Sequence, residues 1–480
     1  MEERKGFGSN FGFLMAAIGS AVGLGNIWGF PNKMGANGGF TFLILYLVLA
    51  VFCGVIVMIG ELALGRKTGH GAIGAYRILS KKFKWLGWLG IAAAALIFSF
   101  YSALGGYCLR YMVVNFGNLI GAEFGTNGVG GADVFQGLLS QPDVSIAFAL
   151  AFMLITMLVV MCGVGGGIER VCSVGMPALF FILIICIIRS CTLPGAADGL
   201  KYMFVPGWAV ANGIIDEAPG FWRVLTAAGG QMFFSLSLGA GVMITYGSYL
   251  DKKQDLGKST MIIVGMDTVV ALMAGLCVIP GRFALDPNGA LGGPELLFIT
   301  MQNVFDKMGP AGPVFGILFY LLVFFAAISS SISMLEVIVA HFCDKAREKG
   351  KGDRRKLYSA IAVVICAALC ALVCADGMGS NHISPAELLG LAGAKLPGWS
   401  TSWLGLFDSV AEGLLMPLGA LLMCLMISWE LKPDALRQEI LLNGENRPWV
   451  YDFFRLCVKY ITPLCMLMIL YGQISDFFIA

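Results

Sequence analysis

Charge is scarce in this chain, and histidine scarcer still. Only 13% of its 480 residues are Asp, Glu, Lys or Arg, against about a quarter in soluble globular proteins, so water is not its main solvent. Three histidines form no cluster, and neither a metal motif nor a nucleophile elbow occurs, which argues against a membrane enzyme. There is no contiguous basic stripe. The net charge of +2 is spread over short loops and gives no pointer to nucleic acid. No polar stretch is large enough for a separate soluble domain, whereas apolar runs recur from Phe11 to Phe478; residues 1–480 therefore read as one membrane domain. No small-residue cleavage site follows the first apolar run, so a cleavable signal peptide is not expected and that run stays as the first membrane helix. Cys366, Cys370 and Cys374 share a helical spacing but have no histidine or carboxylate among them. They read as small apolar helix residues.

What is present is long apolar runs. About twenty such residues cross a bilayer as a helix, and eleven segments qualify: 11–35, 40–65, 86–116, 145–162, 168–191, 221–250, 259–284, 312–343, 357–375, 402–429 and 450–478. Residues 291–307 are too short and polar to span and read as a re-entrant or surface helix. Short cytoplasmic loops keep Lys and Arg. Such clusters follow the second segment (Arg66, Lys67, Arg77, Lys81, Lys82, Lys84), the sixth (Lys252, Lys253, Lys258) and the eighth (Lys345 to Lys356), while residues 117–143 contain none. This predicts a multi-pass protein of the cell membrane with its amino terminus inside and, after an odd number of crossings, its carboxyl terminus outside.

Two segments break the composition of a membrane helix. They are GSAVGLGN at 19–26 and SLSLGAG at 235–241, in the first and sixth helices. Glycine costs a helix roughly 1 kcal/mol relative to alanine, so both stretches invite unwinding. Unwound backbone survives at membrane depth only where protein or a water-filled cavity covers it. Breaks five helices apart are the pattern of an inverted-repeat transporter, 11–191 against 221–429 with 450–478 as an extra helix, and a midplane site between them. Asn26 and Ser235 beside the breaks supply oxygens suited to a desolvated hard cation.

At these residues the chain resembles the neurotransmitter:sodium symporter family, in its bacterial amino-acid transporter branch. The stretches that carry the resemblance are GSAVGLGNIWGFP at 19–31, NGG at 37–39, ELALGR at 61–66, SFYSALGGY at 99–107, QMFFSLSLGAGVMITYGSYL at 231–250 and FFAAISSSISMLE at 324–336. It runs from Arg4 into the eleventh helix and implies the LeuT-type all-α fold; many members have a twelfth helix, for which no apolar run remains here.

The resemblance implies two sodium ions. The first would be held by the Ala21 carbonyl, Asn26, Ser235 and Asp267 with the substrate carboxylate, and the second by the carbonyls of Gly19, Val22 and Ala326 with the hydroxyls of Ser329 and Ser330. It also implies that the substrate carboxylate meets the Leu24 and Gly25 amides and the Tyr101 hydroxyl, where helix amino ends favour an anion. Gly23 stands where monoamine carriers of the family have an aspartate, which favours amino acids. The substrate side chain would meet Ile97, Tyr101, Leu104, Phe234, Ser237, Ala240, Ser333 and Met334. Ala240 replaces a bulkier residue, so the implied substrate is a large apolar or aromatic amino acid.

By the same resemblance Arg4 and Asp344 form the cytoplasmic gate, with Phe7 and Tyr249 close by, and Asp408 is the outer gate aspartate. Its arginine partner is missing, because that position is Gly29. Two closures stay open: Lys33, one turn on, pairing with Asp408 or Glu412, or Phe234 closing over Tyr101 with water. Glu61, a costly carboxylate in a membrane helix, either bonds the unwound sixth helix or relays protons, the first being favoured. Chloride-dependent members have asparagine at position 267 and serine at 271. Asp267 and Ala271 imply that chloride is not needed, and that the emptied carboxylate takes up a proton on the return step, giving proton counter-transport. The function read here is sodium-coupled amino-acid import; the alternative is a substrate-sensing receptor of the same fold.

Overall fold

The computed structural model describes residues 6–126, 128–288, 294–351, 354–390, 398–442 and 448–478. Among them nine helices are long and apolar enough to cross a membrane, and the bent pair Asn10–Ala21 with Gly25–Ala36, at 43°, makes a tenth. Phe221–Ser235 and Val242–Gly247 are each too short to cross alone; joined across residues 236–241 they give the eleventh. In chain order the spans are the bent pair, Phe40–Thr68, Leu86–Ile120, Pro142–Met161, Val164–Cys191, the pair of short helices, Leu256–Leu285, Gly309–Glu348, Arg355–Gly379, Trp403–Leu431 and Pro448–Ser475. Each overlaps the segment expected from hydropathy.

Why the interrupted spans stop is visible in the backbone. The first half-helix ends at Val22, which turns to an extended conformation. In the sixth span Ser237, Gly239 and Gly241 all have positive φ (52°, 79° and 74°), a region costly for side chains and free for glycine. Residues 291–293 of the expected re-entrant segment lie outside the described residues. The rest is a π-turn, Leu296–Thr300, running into the short helix Met301–Lys307.

The broken spans sit inside a cage. The eighth span packs along the third, and both touch the fourth. Third and fourth approach so closely at Gly106 that a Cβ there would lie 2.5 Å from the Ala149 nitrogen. Apolar side chains of the fourth, fifth and ninth spans face outward, as with Leu158, Phe181 and Val364 at 54%, 67% and 70% exposure. No water-soluble protein leaves such a belt bare; hydrocarbon covers it. Among the buried polar residues, Ser20, Asn26, Ser235 and Ser237 lie at the breaks, and Asp267 and Ser330 bond to them.

Candidate functional site

The broken first span redirects its own hydrogen bonds. Past Val22 the N–H groups turn from helical carbonyls to side chains: the Gly23 N–H donates to Asn26 Oδ1 at 2.9 Å and the Leu24 N–H to the Tyr101 hydroxyl at 2.6 Å. Side chains take up the carbonyls thereby freed. Ser330 Oγ donates to Gly19 O and Ser20 O (3.3 and 3.1 Å), and Ser237 Oγ to Ser20 O at 3.0 Å. Buried backbone groups need such partners, since leaving one unmade costs about 1–3 kcal/mol. The first, third, sixth and eighth spans are thus tied together at one break.

The second break is held by Glu61, whose Oε1 accepts the Gly239 N–H at 2.6 Å. That is the backbone-bonding role favoured from the sequence. Gly239 also lies so close to the tenth span that a Cβ would come within 2.2 Å of Met416 O.

Between the breaks stands Asp267, fully buried. Its carboxylate accepts from Asn26 Nδ2 (2.8 Å), from Ser235 Oγ (2.9 and 3.0 Å) and from the Tyr46 hydroxyl (3.0 Å). All three neighbours donate, which suits a carboxylate bearing its negative charge. Three of the four residues expected around the first sodium ion are therefore mutually bonded; the fourth, Ala21, closes the half-helix that leads to them. Of the second set, Ser330 meets Gly19, and Ser329 Oγ donates to Ala326 O at 3.0 Å. A Cβ on Gly19 would lie 3.2 Å from the Ser329 Cβ. Val22 stands at the helix end, where its carbonyl leaves the helical ladder. The oxygens gathered at both places are hard ligands, the chemistry sodium requires.

Ile97, Tyr101 and Leu104 share one face of the third span, and Phe234 crosses Tyr101 with ring centroids 6.3 Å apart. Met334 and Ala240 are buried with them, as is Gly25. Two expected pocket hydroxyls serve the backbone: Ser237 as above, and Ser333, which donates to Ser330 O at 2.7 Å and accepts from Ser20 at 2.8 Å. Gly23 leaves no vacant volume, because a Cβ there would be 2.2 Å from Ser330 Oγ and 2.4 Å from the Tyr101 hydroxyl. A glycine is required for that convergence.

On the side where basic loops gather, Asp344 accepts the Gly71 N–H at 3.0 Å and lies 3.8 Å from Arg347. Arg4 lies outside the described residues. Phe7 packs edge-on against Tyr246 and Tyr249 at 5.7 and 6.2 Å. Tyr249 donates to Glu336 at 2.5 Å, and Arg355 holds the same carboxylate through both guanidinium nitrogens at 2.5 and 3.0 Å. Glu336 and Arg355 were not anticipated as a pair: the arginine was one of a run of loop cations, and nothing in the sequence spacing ties it to the eighth span. Tyr46, Gln231 and Ser20 were missed as well, although Gln231 and Ser20 lie within the family-like motifs.

On the opposite side Lys33 pairs with Glu412. Asp408 lines the same polar cavity of about 280 Å³, together with Arg223, Asn37 and Gln473. Phe234 and Tyr101, the residues of the other closure considered from the sequence, are in ring contact.

The Sodium:neurotransmitter symporter family, as a profile, matches residues 4–127 and 132–478. The chain is 36% identical over 477 residues to the uncharacterized sodium-dependent transporter YhdH of Bacillus subtilis, covering 97% of each. It is 29% identical to an uncharacterized sodium-dependent transporter of Methanocaldococcus jannaschii, covering 99% of this chain and 91% of that one. The crystal structure of MhsT in complex with L-phenylalanine superposes with a TM-score of 0.84 at 33% identity, covering 98% of this chain and 100% of that one.

Proposed function

The chain belongs to the Sodium:neurotransmitter symporter family and has its LeuT-type fold, and from that premise we propose that it imports large apolar or aromatic amino acids with two sodium ions and without chloride. Its relatives are transporters rather than enzymes. The observation that carries the proposal is the buried cluster of Asn26, Ser235 and Asp267, which joins three spans at the two helix breaks. A substrate carboxylate beside the Leu24 and Gly25 amides and Tyr101 would complete the ligand set of the first ion. Gly19, Val22, Ala326, Ser329 and Ser330 would hold the second.

The substrate class rests on the small Ala240 and the aromatic pair Tyr101 and Phe234; the bound L-phenylalanine of MhsT, a protein of the same fold, supports it. Alternating access would work through two gates, Lys33 with Glu412 and Asp408 on the outside, and Arg4 with Asp344 near Tyr249 on the inside. In this reading residues 1–480 form one domain of two repeats, with the amino terminus cytoplasmic and the carboxyl terminus outside. Proton counter-transport through Asp267 belongs to the proposal.

The test is uptake of labelled phenylalanine, leucine and tryptophan into proteoliposomes with and without an inward sodium gradient. Accumulation above equilibrium only with the gradient is expected. Equal uptake under both conditions, with binding retained, would favour a substrate-sensing receptor instead.

A further inference from the structure

The first half-helix is anchored at its start as well as at its break. Glu169, at the end of the π-turn Val164–Glu169 that opens the fifth span, reaches over that start. Its Oε2 accepts the Gly8 N–H at 2.7 Å and its Oε1 accepts the Ser9 hydroxyl at 2.9 Å. Ser9 in turn caps the helix by accepting the Gly12 N–H at 2.9 Å. A carboxylate at this end meets unsatisfied N–H groups and the positive end of the helix dipole. The approach depends on Gly12, where a Cβ would fall 1.9 Å from Glu169 Oε1.

The turn that carries this anchor is built to yield. Residues 163–167 read GVGGG, Gly163 has φ of 82°, and π geometry is itself uncommon in helices and recurs at functional sites. Each glycine lowers helical stability by roughly 1 kcal/mol relative to alanine. A strong contact is therefore mounted on a weak support.

The other end of the same twelve-residue helix carries Gly19 and leads to Val22, beside Ser329 and Ser330. One rigid rod of about 18 Å thus joins the Glu169 contact to the residues proposed for the second sodium ion. Cys172, one turn beyond Glu169, lies behind that rod: a Cβ on Gly19 would be 3.3 Å from its sulfur, and Cys172 is fully buried.

We propose that Glu169 is a positioning residue that latches the first half-helix shut against the fifth span, so that sodium at one end of the rod and the latch at the other bias a single opening motion. The inference rests on the alternating-access reading above. Two groups that stabilise the same closed state reinforce each other, and weakening one raises the demand on the other.

Cys172 is a native reporter of that opening. The full-length protein in proteoliposomes is treated with N-ethylmaleimide, and Cys172 modification is followed by peptide mass spectrometry across a sodium titration. In Glu169→Gln, which keeps an acceptor oxygen but loses the charge, the sodium-free rate should rise on the order of threefold to tenfold, the size of one ordinary hydrogen bond, and the sodium concentration that protects should rise with it. Ser9→Ala should move both readouts the same way by less, and Ser9→Thr, which keeps the hydroxyl, should stay at the parent values. A Glu169→Gln protein with the parent rate and the parent sodium midpoint would overturn the latch; if that variant does not fold, the Ser9 pair decides. A parent protein whose Cys172 sodium does not protect would count against the second sodium site, while the latch would still be judged by the sodium-free rates.

Discussion

Gln231 occupies the space that a side chain at position 29 would need. Its Oε1 lies 2.8 Å from where a Gly29 Cβ would stand, and its Nε2 donates to the Gly25 carbonyl at 2.6 Å. The glutamine is fully buried, so it cannot simply swing into water. Where the resemblance leads one to expect an arginine this chain has Gly29, and a cation stands one helical turn later as Lys33, paired with Glu412; in the proposed reading that pair closes the outer side.

Restoring the arginine should therefore fail. Gly29→Arg is expected to lose most uptake because Gln231 must abandon Gly25, whereas Lys33→Gln and Glu412→Gln should each speed substrate release to the outside. Side-chain exposures of 23% and 8% place the pair between surface and interior. A double-mutant cycle on release rates should give a coupling of about 1–2 kcal/mol. Additive effects of the two substitutions would remove the pair from the gate.

Glu61 tests whether a buried carboxylate is there for its shape or its proton. Glu61→Gln keeps an oxygen that can accept the Gly239 N–H, so uptake and thermal stability should stay near the parent. Glu61→Ala leaves that donor buried without a partner, at a cost of about 1–3 kcal/mol, and uptake should collapse. A glutamine variant as inactive as the alanine variant, yet fully folded, would restore the proton-relay reading.

How much of this was legible in the sequence follows from what each signal measures. Hydropathy marked each of the nine long helices and the bent first pair found among the described residues, and the two short helices either side of residues 236–241, because a bilayer demands a fixed length of apolar helix. The breaks at 19–26 and 235–241 were legible because glycine weakens helices wherever it stands. Pairings between distant spans were not. Lys33 with Glu412 spans 379 positions, and Glu336 with Arg355 joins the interior of the eighth span to the first residue of the ninth; no periodicity links them. Gly23 shows a subtler limit. Its lack of a side chain is legible, but that Ser330 and Tyr101 converge where a Cβ would stand is visible only in the packed structure.

The serine pair of the eighth span gives a sodium prediction. Alanine at both Ser329 and Ser330 removes two hydroxyl ligands and the bonds that tie Gly19 and Ser20 to that span. Sodium-dependent substrate binding should need at least about tenfold more sodium, the equivalent of about 1.4 kcal/mol. An unchanged sodium midpoint in scintillation-proximity binding would mean that the second ion lies elsewhere.

Substrate size should be read at Ala240, which is buried beside the unwound segment with its backbone close to the third span at Gly90. Ala240→Phe should weaken competition by tryptophan far more than by alanine. Gly23→Asp, by contrast, should abolish binding without creating an amine carrier, since its Cβ would overlap Ser330 and Tyr101. Equal loss of tryptophan and alanine in Ala240→Phe would reject this description of the pocket.

Chloride provides the sharpest test of Asp267. In chloride-dependent members an anion would balance the charge of the first sodium ion, and the expectation here is that the aspartate does so itself. Its surroundings suit that role, because Asn26, Ser235 and Tyr46 all donate to it and would hold a negative charge in a fully buried place. Four residues on, Ala271 offers no hydroxyl to a chloride ion, and it is fully buried. Uptake should therefore persist when gluconate replaces chloride. Asp267→Asn removes the fixed charge while keeping the shape and one acceptor oxygen, so the variant alone should lose sodium affinity. Adding Ala271→Ser should recover uptake, now dependent on chloride, because a mobile anion replaces the fixed one. The same pair of variants separates the proton step, since an asparagine has no proton to exchange. Substrate-driven acidification or alkalinisation inside liposomes carrying a pH-sensitive dye should be present in the parent and absent in both variants. Strong chloride dependence in the parent would overturn the charge-balance argument, and a parent without any internal pH change would remove the proton counter-transport while leaving the chloride prediction standing.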